Sequence, residues 1–276
     1  KDDLNLVDVW LRLGVGGGCF KTVLSTPEQG NTRPRIREVC YQGHDGILNA
    51  LGLPGRGVAG FLKELKGCSL FDYKRPLGFS IGGFSISEYV ANATEVTSFM
   101  QDYPDHPFYI ELNLSCPNLH QRKKLVVTPT LLDELVRTIR QDVSAVMSIK
   151  LSPDWADADL QAMIDTLVGD SKIMLNLGNT QYKTWADLSI HPPSFTVPGG
   201  GLSGSFLFKR TLEMIDLAKP FGLPILATGG IRTADQACAV LDKGAQLIGI
   251  ATGLITHPFS IPKINAAIAN RSKSIS

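Results

Sequence analysis

Apolar residues fall along this chain in two alternating rhythms. Short continuous runs suit buried strands, and longer stretches with an apolar residue every third or fourth position suit helices that cover them. The chain opens in the helical rhythm, with Leu4, Val7, Trp10 and Leu11 on one face. Residues 17–24 then read as a strand, residues 57–65 as a short helix turning Val58, Phe61, Leu62 and Leu65 inward, and residues 77–81 as another strand. Ser85 stands three residues before Glu88, a capping box that satisfies free backbone N–H groups at a helix start. Residues 108–114 form the next strand, and Thr128-Pro129 opens a helix with a capping side chain followed by a residue favoured in the first turn. The alternation runs on through strand 146–151, helix 157–168, strand 172–177, helix 208–218 stopped by Pro220, and strand 224–228. It closes with a helix from Thr233 to Lys243, ended by Gly244, and strand 246–250.

Seven strands separated by helices predict a parallel sheet. A helix before the first of them predicts a (β/α)8 TIM barrel entered at its first helix, with strand one absent from this chain; a doubly wound open sheet is the alternative. The length of 276 residues suits one such barrel. No Pro/Ser linker or charge run divides the sequence, so a single domain over residues 1–276 is expected.

Composition narrows the function classes. Lys+Arg of 27 against Asp+Glu of 26 leaves a net charge of +1, which offers no global attraction to nucleic acid or an anionic membrane. The five cysteines are odd in number, widely spaced and never in C-x-x-C, which argues against a disulfide framework or a zinc site and for a reducing cytoplasm. There is no apolar run of membrane-spanning length, and Lys1-Asp2-Asp3-Leu4 lacks the basic and apolar regions of a signal peptide. A soluble small-molecule enzyme is the class that remains.

Barrel strands are mostly apolar, so polar residues at their C-terminal ends, where such folds gather their active sites, carry information. Lys21, Asn113, Lys150 and Asn179 fall at or just past such ends. An ammonium buried there needs an anion or good acceptors beside it. Near the end of the chain Ala227-Thr228-Gly229-Gly230-Ile231 and Ala251-Thr252-Gly253 follow two successive strands, and Gly199-Gly200-Gly201-Leu202-Ser203-Gly204 lies in the long loop before them. Small residues and free backbone N–H groups at this end of a barrel suit a phosphate. In Glu111-Leu112-Asn113-Leu114-Ser115-Cys116-Pro117-Asn118 a cysteine sits just past a strand end beside two asparagines. Chemistry alone leaves two readings open for Cys116, an inert buried thiol and a group that meets substrate.

At these residues the sequence resembles the dihydroorotate dehydrogenases, and specifically class 1, which uses cysteine as base where class 2 has serine. Leu48-Asn49-Ala50-Leu51-Gly52-Leu53-Pro54 resembles the family's substrate loop, and Phe20-Lys21-Thr22 its Thr-Lys-Ser strand end. Phe79-Ser80-Ile81-Gly82-Gly83, Ile149-Lys150-Leu151-Ser152-Pro153 and Asn179-Thr180 match further motifs in order.

The resemblance implies FMN as cofactor, oxidation of dihydroorotate to orotate in pyrimidine synthesis, and catalysis by Cys116 and Lys150. Cys116 would remove the C5 proton while a hydride leaves C6 for the flavin, and Lys150 would sit where reduction develops negative charge. Lys21, Asn49, Asn113, Asn118, Asn179 and Thr180, with the backbone of Leu51, Gly52 and Leu53, would bind substrate. Lys21, Thr22, Asn113 and Lys150 would contact the flavin, and Gly204, Gly229, Gly230, Ala251 and Thr252 its phosphate. Fumarate is the implied electron acceptor and a homodimer the implied assembly, with no metal, nucleic-acid or membrane partner.

Three features depart from the family pattern. Its first strand, an Ala-Ser-Gly stretch, is absent here. Leu119-His120-Gln121-Arg122-Lys123-Lys124 replaces a Pro-Gly-Lys-Pro-Gln-like loop, and Gly201-Leu202-Ser203-Gly204 resembles the class 2 form. The competing readings are a degenerate, non-catalytic flavin- or pyrimidine-binding barrel and the flavin domain of dihydropyrimidine dehydrogenase. The latter usually travels with iron–sulfur domains, whose cysteine clusters this chain lacks. A tRNA dihydrouridine synthase would need a basic surface, which the charge balance disfavours.

Overall fold

The computed structural model describes residues 2–114, 126–191 and 193–275. Helix α1 (Asp2–Arg12) leads into strands β1 (Gly18–Cys19), β2 (Pro27–Glu28), β3 (Ile36–Tyr41), β4 (His44–Asn49) and β5 (Gly55–Arg56). There follow α2 (Gly57–Leu65), β6 (Leu77–Ile81), α3 (Ile86–Met100), β7 (Phe108–Asn113), α4 (Pro129–Asp142), β8 (Val146–Leu151) and α5 (Asp157–Asp165). Strands β9 (Ile173–Leu177), β10 (Gln181–Thr184) and β11 (Gly199–Gly204) precede α6 (Phe208–Ala218), β12 (Ile225–Thr228), α7 (Ala234–Lys243), β13 (Leu247–Gly249), α8 (Thr252–Thr256) and α9 (Ser260–Ile275).

The capping expected at Ser85 and Thr128 is present, and Thr233 adds a third cap that was not foreseen. Ser85 accepts from the Glu88 N–H, Thr128 from that of Leu131, and Thr233 forms a full capping box with Gln236. At α3 the return bond shifts by one residue, because the Glu88 carboxylate accepts from the Phe84 N–H at 2.8 Å. Strand 17–24 is shorter than its apolar pattern suggests: only Gly18–Cys19 pairs continuously, and Val23 rejoins Ile81 as an isolated bridge.

The chain divides into two compact units. The first comprises residues 1–30, 52–149 and 162–174. Its parallel strands lie in the order β1, β6, β7 and then most of β8, so their order in the sheet is their order along the chain. Strand β6 is wholly buried, and Phe20, Phe61, Phe79 and Phe108 meet edge to face beside it. The second unit comprises residues 31–51, 150–161 and 175–276. Its parallel strands run β9, β12, β13. Neither unit shows the reversal of strand order that defines a doubly wound sheet, and the repeated strand–helix alternation is that of an α/β barrel.

The sequence pattern missed an antiparallel sheet in the second unit, ordered β10-β11-β4-β3. Residues 199–204, expected as loop, are strand β11, paired with β4 through Gly201 opposite Asn49. Glycines give a strand no apolar signature. The β3–β4 hairpin turns through Gln42 and Gly43, both at positive φ, as its two-residue turn requires. Leu48, Ala50, Trp185, Phe195 and Leu202 form the core of this sheet. Among the described residues no helix is long and apolar enough to cross a membrane.

Candidate functional site

A cavity of about 680 Å³ opens within the second unit. Lys150, near the end of β8, lines it with Asn179 and Thr180, which follow β9. Gly204 ends β11, Gly229 and Gly230 follow β12, and Ala251 and Thr252 follow β13; all five line the same cavity. The predicted phosphate residues and three of the predicted polar residues therefore share one space, at the C-terminal ends of the strands.

Backbone approach shapes its wall. Gly178 has φ +143, and a Cβ there would lie 1.5 Å from the Thr228 carbonyl oxygen. Gly230 has φ +71, and a Cβ there would lie 2.4 Å from the Phe208 nitrogen at the start of α6. Side chains tie the pieces together: Thr252 Oγ1 donates to Ser203 Oγ at 2.8 Å, and Ser203 Oγ donates to the Ile47 carbonyl at 3.2 Å. Asn49 Nδ2 donates to the Gly201 carbonyl at 3.0 Å, and the Thr180 N–H donates to Asn179 Oδ1 at 2.8 Å. Thr228 Oγ1 is buried without a hydrogen-bond partner, and Thr228 is part of the wall.

The cavity also takes in Arg232, His257, Glu38 and Asp45, which the sequence pattern did not single out. They stand on a hairpin that was not foreseen and on loops, where polarity carries no signal. A glycine wall, an orphaned hydroxyl and the cations Lys150 and Arg232 fit a flat cofactor that carries a phosphate.

The other predicted residues lie in the first unit. Lys21, two residues past β1, donates through Nζ to the Pro54 carbonyl, which ties it to the predicted substrate loop. Gly52 and Leu53 in that loop both have positive φ, +69° and +51°, a conformation that a leucine rarely adopts. Leu51 falls to the second unit, its carbonyl accepting from the Asn31 N–H at 3.0 Å. Asn113, the last residue of β7, donates through Nδ2 to Thr22 Oγ1 at 2.8 Å. Cys116 and Asn118 lie outside the described residues.

Ser80 and Glu111 were not predicted as site residues, yet they extend the Asn113–Thr22 bond. Thr22 and Ser80 hydroxyls are 2.8 Å apart, and Ser80 Oγ donates to Glu111 Oε1 at 2.9 Å. Polarity inside apolar strands, the signal that marked Lys150 and Asn113, marks these two as well. Below them Tyr109 lies over Gly78, where a Cβ would meet the ring at 2.3 Å. Burial, then Cys19, then Glu111 push the Tyr109 hydroxyl well above the usual phenol range.

Residues 4–271 match the family model described as dihydroorotate dehydrogenase. A dihydroorotate dehydrogenase (quinone) of Chloroflexus aurantiacus is 30% identical over 282 aligned residues, covering 97% of this chain and 76% of the relative. The catalytic subunit of a dihydroorotate dehydrogenase B (NAD(+)) from Shouchella clausii is 30% identical over 254 residues, 91% of this chain and 79% of its own. The corresponding catalytic subunit of Listeria monocytogenes is 28% identical over 265 residues, 95% and 83%.

Proposed function

This chain belongs to the dihydroorotate dehydrogenase family of oxidoreductases, and from that premise we propose that it oxidises dihydroorotate to orotate in pyrimidine synthesis as a class 1, FMN-dependent enzyme. The observation that carries the reading is the convergence of Lys150, Asn179 and Thr180 with Gly204, Gly229, Gly230, Ala251 and Thr252 on one cavity. FMN, which Gly204, Gly229, Gly230, Ala251, Thr252 and Lys150 would hold, would supply an acceptor for the hydride lost from C6 of the substrate. Cys116 takes the C5 proton as thiolate, so both atoms lost in forming the ring double bond have a destination. Lys150 supplies fixed positive charge where negative charge develops, a contribution made in the transition state more than in the ground state. Asn49, Asn113, Asn118, Asn179 and Thr180 match the alternating donors and acceptors of a pyrimidine edge. Lys21, held against the Pro54 carbonyl, would bring the loop of Leu51, Gly52 and Leu53 to the same substrate, and Thr22 stands beside it on the flavin side.

The same proposal covers a single flavin-binding barrel over residues 1–276, a homodimer and a cytoplasmic location. Among the described residues Cys19, Cys40, Cys68 and Cys238 form no disulfide, which supports a reducing compartment. Fumarate is the acceptor the resemblance implies, whereas the relatives' names carry quinone and NAD(+). An acceptor assay with all three separates them.

The test is anaerobic stopped-flow bleaching of bound FMN by dihydroorotate across pH. An unperturbed thiol has a pKa of about 8.5, so the rate should rise as pH climbs through the thiol's titration. Cys116→Ala should retain FMN and orotate but bleach about 10²- to 10⁴-fold more slowly, the usual worth of a general base. Bleaching of that variant at the wild-type rate would remove Cys116 from the mechanism. A wild type that never holds flavin would favour the non-catalytic barrel.

A further inference from the structure

From the buried chain of side chains in the first unit, we infer that Glu111 is a positioning residue that sets, through Ser80 and Thr22, which end of the Asn113 amide faces the pyrimidine. The inference rests on the reading of Asn113 as part of the substrate pocket.

Parallel strands β6 and β7, with the segment that follows β1 beside them, put these groups in a row. Ser80 is the register partner of Glu111, and Val23 bridges Ile81, so Thr22 stands level with Ser80. Asn113 is two residues beyond Glu111 on β7 and therefore on the same face. Thr22, Ser80 and Glu111 are all buried, at 7%, 2% and 2% exposure, so water does not compete for these bonds. The Asn113 backbone is fixed too, its carbonyl accepting from the Tyr89 hydroxyl at 2.9 Å.

The direction of the chain follows from its end. A carboxylate only accepts, and a hydroxyl has one hydrogen to give. Ser80 spends its hydrogen on Glu111. It must then accept from Thr22, which leaves Thr22 only lone pairs to offer Asn113. Asn113 meets them with its NH2 group, at 2.8 Å. Its Oδ1 is left buried with no hydrogen-bond partner. That oxygen is an acceptor held in readiness, and the ligand that satisfies it presents an N–H, as a pyrimidine ring nitrogen does. A neutral amide at position 111 no longer fixes the polarity, because it can donate as well as accept. Glutamine there can donate to Ser80, the hydroxyl hydrogens then point the other way, and Asn113 turns its NH2 toward the ligand.

The test is a double-mutant cycle on the FMN-loaded protein, read as the orotate dissociation constant from the shift of the flavin absorption band. Glu111→Gln should weaken orotate binding roughly 10- to 100-fold, the range for leaving a buried group unsatisfied, with FMN retained. Thr22→Val should bind orotate more weakly, and Thr22→Ser, which keeps the hydroxyl, should recover most of that loss. Adding Glu111→Gln to Thr22→Val should cost less than twofold more, because the link between Glu111 and Asn113 is already cut. A full additive loss, or wild-type affinity in Glu111→Gln, overturns the inference.

A wild type that fails to bind orotate would sink the substrate-pocket reading and leave the relay to be judged without ligand. The Asn113 side-chain NH2 signal in NMR, identified by its loss in Asn113→Asp, should then lose exchange protection in Thr22→Val and Glu111→Gln but not in Thr22→Ser. Unchanged protection in all three would refute the relay.

Discussion

The two units hold their candidate residues by opposite means. In the first, side chain grips side chain: Asn113, Thr22, Ser80 and Glu111 form a continuous hydrogen-bonded row across β7, β6 and the segment after β1. In the second, backbone approaches backbone, and the cavity wall exists because Gly178 and Gly230 present no Cβ. A site made of side chains is sensitive to which polar atom stands where and tolerant of small changes in volume. A site made of backbone tolerates exchanges of the polar groups around it and not one added methyl. A pyrimidine is read by its donor and acceptor pattern, which the row around Asn113 suits, whereas a phosphate asks for close N–H groups from any residue, which the glycine wall suits.

The largest expected effect breaks the backbone-built side. Gly178→Ala places a methyl 1.5 Å from the Thr228 carbonyl at φ +143, so the segment just after β9 and the end of β12 cannot both keep their places. It should destabilise the protein by about 4 kcal/mol or more, the range of severe core disruption, and release flavin. An unfolding midpoint in urea equal to wild type would show that the wall adjusts and that the contrast between the units is weaker than drawn.

Lys150→Ala sharpens the comparison by removing charge from the same cavity while leaving its backbone intact. Flavin should stay bound and the unfolding midpoint should move little, but reduction by dihydroorotate should slow about 10²-fold, as loss of one preplaced electrostatic group does. Unaltered reduction kinetics would remove Lys150 from the mechanism. The smallest effects belong to Asn49→Ala and Asn179→Ala. Each should weaken orotate by roughly 1 to 3 kcal/mol through an unsatisfied partner and leave FMN in place. Titration calorimetry that finds orotate affinity unchanged in both would move the substrate pocket elsewhere.

Much of this molecule is legible in its sequence because burial and period coincide. The pattern located α2, β6, β8 and α6 at their observed bounds, since an apolar run or stripe can be satisfied only by one kind of element. The caps at Ser85, Thr128 and Thr233 are equally local, a hydroxyl serving an N–H three residues away. The same logic marked Lys150 and Asn113, because a polar side chain inside an apolar strand needs a reason. It applied to Ser80 and Glu111 too, but two polar residues on different strands signal a network only when their register is known.

The sequence by itself determined the alternation of strand and helix, the glycine-rich strand ends and the polar residues placed among apolar ones. Each depends on neighbours within one turn or one strand. Tertiary structure alone decided that Gly199–Gly204 is a strand between β10 and β4, since β4 lies some 150 positions away and its glycines carry no apolar rhythm to announce it. It also decided the direction of the Asn113 amide. That direction is fixed by a carboxylate three hydrogen bonds away, through the hydroxyls of Ser80 and Thr22, and no local pattern records which way a hydrogen points.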